Sequence, residues 1–573
     1  MVGIVGGLGA VLFRALIALC HNLFFFGRLS ITYDANVHTA ASPWGMGVVL
    51  VPVLGAAAVA FLVKNFAPEA KGHGVPEVMD AIYHAKGVIR PVVALVKSLA
   101  SAISIGSGGS IGREGPIIQI GSSFGSTVAQ TLGISIWQRI TLIAAGASAG
   151  IAATFNTPVG GVLFAMEILL HEVSARTLVP VAIATATGTY VGRLFFGATP
   201  SFVIPQLQKT YFHLTTPWVL IAYIGLGVLT GLVSVLYIKS IYGFEDMFEH
   251  RIKGGYYVRH MLGMLIVGLI MVLMQHIYGH YYVQGVGYAT VQDVLNGSLA
   301  YLPLLLMLFG LKLLATSLTL GSGASGGVFS PGLFMGVTLG GAYGIAVGWI
   351  FPSLDISPTA FAVAGMAGII GGSTGAAMAA IVMIFEMTRD YTVIIPMTIT
   401  VALSYGIRKR LTAQSIYTLK LVRRGRYLPS NFMSDFHLVQ RARDIMASEV
   451  HLLPASKAID DNLRSQSADG TTRYVVVDES EAVVGTLAAD RLLRDLVQNG
   501  GRGLAGEMAD RNFIAVPPEA KLIDILHTLH AHGASSVIVT ESPQDLSIHG
   551  VVGVIDKERI VEALEGSLEM FSE

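Results

Sequence analysis

Cysteine is almost absent: the single Cys20 among 573 residues allows no internal disulfide and reads as a small apolar side chain on a first helix. Charge is scarce as well. Asp, Glu, Lys and Arg make up 13% of the chain, about half the share of a soluble globule, and 37 basic residues stand against 37 acidic ones. That balance removes the global field with which a protein attracts nucleic acid or an acidic partner, so no nucleic-acid partner is expected. A phosphate-binding GxxxxGK loop is missing too. What fills the chain is apolar: 53% of residues are hydrophobic and the mean hydropathy is positive. These features exclude a soluble enzyme fold and point to an integral, polytopic membrane protein embedded in a lipid bilayer.

Apolar segments run about 1 to 26, 45 to 64, 90 to 105, 116 to 132, 138 to 154, 157 to 170, 177 to 197, 217 to 240, 259 to 278, 300 to 320, 331 to 351, 359 to 371, 376 to 387 and 391 to 407. Many are too short to cross about 30 Å of hydrocarbon as one straight helix, so tilted helices and half-helices are expected. The first, Met1 to Phe26, is interrupted by Arg14 and lacks a basic leader, which reads as a retained helix rather than a cleaved signal. After Ser404 come Arg408, Lys409 and Arg410, then Arg423, Arg424 and Arg426. Basic residues beside a last span mark the cytoplasmic side. Everything downstream is therefore expected inside the cell, with the spans in the cell inner membrane.

One polar break organises the rest. Gly106-Ser107-Gly108-Gly109-Ser110-Ile111-Gly112-Arg113-Glu114-Gly115-Pro116 separates two apolar segments and puts a carboxylate at membrane depth, at a cost of about 3 kcal/mol on the most lenient scale. Irregular backbone at that depth is tolerated only where it lines a protein or water cavity. The break recurs as Gly321-Ser322-Gly323-Ala324-Ser325-Gly326-Gly327-Val328-Phe329-Ser330-Pro331, offset by 321 − 106 = 215 residues, and Lys97 matches Lys312 at the same offset. Ala145-Gly146 to Ile168 loosely matches Ala364-Gly365 to Met387. Matched breaks in two halves are the signature of a transport site between repeats; the plainer alternative is that the glycines only let helices pack closely. A third helix start follows Gly72-His73-Gly74-Val75-Pro76-Glu77. Each helix N-terminus offers unpaired N–H groups and about half a positive charge, so three converging starts supply about 1.5 units and suit a small anion.

The trio GxGxP, GREGP and GGxFxP, here Gly72 to Pro76, Gly112 to Pro116 and Gly326 to Pro331, resembles the CLC family of chloride channels and chloride/proton exchangers. The resemblance implies an all-α membrane domain of two inverted repeats of tilted and broken helices, working as a homodimer. It implies that Glu114 is the gating glutamate, competing with the anion and leaving when protonated. His73, Gly74, Arg113, Gly115, Gly327, Val328, Phe329 and Tyr417 would form the anion-binding set, the N–H groups of Val328 and Phe329 and the Tyr417 hydroxyl holding the central ion. Two positions depart from the family pattern. His73 stands where chloride-selective members carry Ser, and a neutral imidazole still donates one N–H. Ile168, after Glu167, stands where exchangers carry the internal proton-accepting glutamate. Isoleucine holds no proton, so the preferred reading is a passive chloride channel, with a chloride/proton exchanger using a non-standard internal proton route as the alternative. A cation transporter regulated by its tail is a remote third reading, because it would want carboxylates along the pathway. An intramembrane metalloenzyme built on His171-Glu172, His276 and His280 lacks any recognised ligand spacing, so no metal is expected.

From about Val439 the chain turns polar and shows a different repeat. Ala442 to Met446 opens a unit running through Tyr474-Val475-Val476-Val477 and Val484 to Leu492; Ala505 to Met508 opens another, through Ser536-Val537-Ile538-Val539 and Val552 to Ile560. Strand, strand and helix twice over resembles a tandem pair of CBS modules with α/β folds. The expected organisation is a transport domain over 1–422, a linker over 423–438, one CBS module over 439–500 and a second over 501–573. The resemblance implies that such pairs often hold an adenine nucleotide through a Ser or Thr and an Asp. Here Ala488 and Arg491, and Asp556 and Arg559, occupy those places, so a structural or dimerising role is the stronger expectation and no other cofactor is expected.

Overall fold

Glycine sets how closely the helices of this chain approach one another. In the computed structural model, which describes residues 1–171, 173–204, 217–354, 356–428, 440–458, 473–488, 503–541 and 547–569, helices α5 (Glu114–Thr131) and α6 (Ile136–Phe155) cross at Gly121 and Gly146. A methyl on Gly121 would fall 2.2 Å from the Gly146 carbonyl oxygen, and one on Gly146 would fall 2.1 Å from that of Gly121. Small residues at a crossing let backbones touch where lipid offers no hydrophobic drive for association. The same device recurs in the second half. Helices Phe329–Ile350 and Pro358–Thr374 cross at Gly336 and Gly365, where added methyls would meet the opposite carbonyl oxygens at 2.5 and 2.4 Å.

The two halves therefore share more than their breaks. Buried Lys97 on α4 (Pro91–Gly106) donates to the carbonyls of Ala70 (2.9 Å) and Gly72 (2.7 Å). Lys312, on the helix Leu302–Ser322, donates to those of Val283 (3.0 Å) and Gly285 (2.9 Å). Each ammonium thus holds the loop that launches a short helix, α3 (Val75–His84) in one half and Tyr288–Leu295 in the other. Gly72 and Gly74 have φ of 80° and 84°, Gly285 and Gly287 φ of 52° and 77°, a left-handed path that glycine follows without a Cβ penalty. Carboxylates tie the halves together reciprocally. Glu167 accepts from the amides of Met378 (3.2 Å) and Ala379 (2.9 Å) at the start of Ala377–Thr388, and Glu386 from those of Val159 (3.1 Å) and Gly160 (2.7 Å) at the start of α7 (Pro158–Phe164).

Seven helices among the described residues are long and apolar enough to cross a membrane: Val2–Phe26, Gly45–Phe66, Ala175–Phe196, Trp218–Arg251, Tyr256–Tyr278, Leu302–Ser322 and Phe329–Ile350. Shorter apolar helices accompany them, among them Pro91–Gly106, Pro158–Leu170 and Ala377–Thr388, the broken and tilted segments expected of two repeats. The first compact unit ends at Leu428. It continues past residue 422 because Arg423, Arg424 and Arg426 ion-pair with Asp246, Glu77 and Asp80, carboxylates of the same unit.

The second unit is α/β and contains two three-stranded sheets. In the first, β1 (His451–Pro454) runs parallel to β2 (Arg473–Val477), which pairs antiparallel with β3 (Val483–Ala488). In the second, β4 (Phe513–Val516), β5 (Ser536–Thr540) and β6 (Val551–Ile555) repeat that order. Each module thus opens with a short parallel strand absent from the strand, strand, helix reading of the sequence. Val475, Val477 and Val483 of one sheet share a buried cluster with Ile538 and Val554 of the other, which packs the modules as a pair. Arg491 lies outside the described residues, as does most of the expected linker; Asp556 accepts from the Arg559 amide at 2.9 Å and so caps the helix Lys557–Glu569.

Candidate anion site

Backbone pairing brings the three helix starts to one point. Gly72 donates to Ala324 O at 2.9 Å and receives the Gly326 amide at 3.2 Å; Gly112 and Gly327 exchange both of their bonds, at 2.8 and 2.7 Å. A methyl on Gly115 would fall 1.8 Å from His73 O, so the beginnings of α3 and α5 also touch. The helix Phe329–Ile350 starts beside them, with Val328 as its N-cap residue. The first four N–H groups of a helix have no intrahelical partner, so this junction gathers unpaired donors and the positive ends of three helix dipoles. No basic side chain is needed to make it electropositive.

Glu114, 2% exposed, is the first residue of α5 and folds its carboxylate back over that start. Oε2 sits where methyls on Gly112 and Gly327 would lie, 1.9 and 2.8 Å away, and has no hydrogen-bond partner among the described residues. Oε1 accepts from the Tyr288 hydroxyl at 3.1 Å and from the Ser330 hydroxyl, while Tyr288 and Ser330 are themselves 2.6 Å apart. The charge is therefore met by hydroxyls and peptide dipoles, a set that receives a halide as readily as a carboxylate. Tyr288 and Ser330 were not among the residues singled out in the sequence. Both carried a signal: Ser330 lies inside the Gly326 to Pro331 motif, and Gly285-Val286-Gly287-Tyr288 is the second-half counterpart of Gly72-His73-Gly74-Val75.

The remaining expected residues divide by position. His73 is buried against α3's start, its Nδ1 has no partner among the described residues, and its ring lies 6.2 Å from that of Tyr242 and 6.3 Å from that of Tyr417. Gly74 packs on Gly115 and Gln119. Tyr417 is buried, yet it caps the five-residue helix Thr418–Val422 instead of sitting on the last long helix, which ends at Leu411 where Thr412 turns extended. The Val328 carbonyl takes the Tyr237 hydroxyl at 2.9 Å, and the Phe329 ring lies 5.8 Å from that of Phe155. Arg113, 8% exposed, turns away from the junction: its guanidinium stacks over Phe155 (5.5 Å) and Tyr288 (5.1 Å). Ile168 is 5% exposed in a one-turn π-helix, Ala165–Leu170. Its neighbour Glu167, expected beside a proton position, is occupied as the cap described above because two peptide N–H groups lie within its reach. Glu172 lies outside the described residues. His276 belongs to the helix Tyr256–Tyr278, whereas His280 lies past its end and stacks on His38 at 4.3 Å.

The family model described as voltage gated chloride channel matches residues 55–409, and the CBS domain model matches 505–566. Over 427 residues the chain is 31% identical to a putative chloride channel protein, ClcB-like, of Ralstonia nicotianae, covering 74% of this chain and 95% of that one. It is 33% identical over 366 residues to the H(+)/Cl(-) exchange transporter ClcA of Yersinia pestis, covering 63% and 75%. Two solved structures share the fold: a slow cyanobacterial Cl-/H+ antiporter (TM-score 0.63, 24% identity, 74% of this chain and 96% of that one) and a eukaryotic CLC transporter (TM-score 0.60, 20% identity, 97% and 96%). The protein therefore belongs to the CLC family of voltage-gated chloride channels and anion transporters, with a pair of CBS modules following its membrane domain.

Proposed function

We propose that this protein exchanges chloride or a similar small anion for protons, with Glu114 as the group both ions visit. The observation that carries the reading is the Glu114 carboxylate itself, lying among converging helix starts with hydroxyl donors and, among the described residues, no ion-paired cation. A carboxylate held that way gives up its place once a proton neutralises it, and an anion then takes the vacated donors. Relatives named as H(+)/Cl(-) exchange transporters support exchange over passive conduction. Because Ile168 holds no proton, the inner proton step must run through water reaching Glu114 from the side of His73 and Tyr417. His73, with its unpartnered Nδ1, lines the anion path on that side and offers one N–H in place of a hydroxyl.

The second reading is a passive chloride channel, favoured by the apolar residue at 168. Purified protein in liposomes separates the two. With a chloride gradient and no proton gradient, exchange drives protons uphill in step with chloride flux, and a channel moves chloride alone. In the same proposal two copies assemble with one pathway each, the membrane is the cell membrane, and the CBS pair is a structural unit on the cytoplasmic side, where Arg408, Lys409 and Arg410 mark the inner face.

A further inference from the structure

We infer that a second anion station lies beyond Tyr288 on the far side from Glu114, formed by Arg14, Arg113 and Arg193 and opposed by the carboxylate of Asp34. The inference rests on the transport reading above and adds a capture site ahead of the helix-start junction. A polar cavity of about 100 Å³ is bounded by these four side chains together with Phe155 and Tyr288. Since a water in bulk takes about 30 Å³, the space holds a small anion with a water or two of its shell.

Charge and partnering argue for occupancy. Three guanidiniums against one carboxylate leave 3 − 1 = +2 on the lining. Among the described residues none of the three pairs with a carboxylate. Arg14 lies over the Phe196 ring at 4.4 Å, Arg193 donates through Nε to Asn156 at 2.7 Å, and Arg113 reaches Thr154 O at 3.5 Å while its Nε is buried without a partner. Asp34, exposed at the rim, accepts from the Asn36 amide in a tight turn. Cations gathered in a partly desolvated pocket repel one another, and the arrangement is relieved when an anion enters.

Position argues for a role in transport. Tyr288 is the wall between the two stations, its ring beneath Arg113 and its hydroxyl on Glu114. α3 and α5 start together at Gly74 and Gly115 and run to the same face, where Arg424 and Arg426 pair with Glu77 and Asp80. The cavity lies at the other end, beyond the start of α5, where α6 and Ala175–Phe196 finish. That places it on the outer side in the orientation proposed above. A net positive, low-dielectric mouth raises the local concentration of small anions.

The test is the chloride KM from the cavity side in reconstituted protein, with ionic strength held constant by gluconate. The double variant R14Q/R193Q is expected to raise KM about fivefold and D34N to lower it about twofold, both effects shrinking as ionic strength rises. Opposite directions for the two variants exclude a general folding defect, and D34N alone keeps the test open should the double variant not purify. A KM unmoved in both, or moved the same way by both, overturns the outer station while wild-type anion flux leaves the transport reading intact. Absence of anion flux in the wild type overturns that reading instead.

Discussion

Glu114 is held by two hydroxyls, and each is a lever on the competition between carboxylate and anion. A hydrogen bond to a charged group contributes about 1.5–3 kcal/mol. Removing one donor, in Y288F or S330A, therefore weakens the place for carboxylate and anion alike. In an E114Q background, where no carboxylate competes, the expected result is a chloride affinity lowered about tenfold, since about 1.4 kcal/mol is one decade, read by isothermal titration on purified protein. Gly112 offers a complementary change. The methyl in G112A would meet the end of the Glu114 side chain, 1.9 Å from Oε2, and the neighbour that must move is flexible. G112A is expected to fill the seat that carboxylate and anion share and so to lower anion flux and proton flux together, measured in liposomes. Unchanged flux in G112A would mean that the anion does not pass through that seat.

At the scale of elements, the fold depends on contacts that cross between the halves. Glu167 and Glu386 each cap a helix of the opposite half, so E167Q and E386Q should each cost about 1–2 kcal/mol of stability. Thermal inactivation followed by size exclusion reads that loss. The proton-to-chloride ratio of E167Q should match the wild type, because its carboxylate serves peptide N–H groups; a changed ratio would return Glu167 to the proton route. The matched breaks were legible in the sequence because the offset of 215 repeats both the glycine run and the lysine that pins it. The partner of Gly72 to Val75 was harder to see. Its counterpart Gly285 to Tyr288 lies 285 − 72 = 213 residues on and lacks the proline that flags the first copy, so Tyr288 went unnoticed. Ser330 was hidden for a different reason: motif spelling marks it as variable, and only the fold brings its hydroxyl across 216 residues to Glu114. The opening strands of the CBS modules, four residues each, are too short to show an alternating pattern.

For the molecule as a whole, the membrane unit ends at Leu428, and the ClcB-like relative, 31% identical and matching 74% of this chain, is itself covered to 95%. A chain truncated after Leu428 is therefore expected to insert, purify and carry anions; loss of all flux would assign the CBS pair a part in the pathway or its assembly. The account turns on whether a small anion and the Glu114 carboxylate share one set of helix-start donors. Anomalous diffraction from crystals soaked in bromide tests this most directly, comparing the wild type with E114Q. The prediction is a bromide peak in E114Q where the wild type has its carboxylate, between Gly112, Gly327 and the hydroxyls of Tyr288 and Ser330. The contradicting result is E114Q crystals with bromide elsewhere and none at that place.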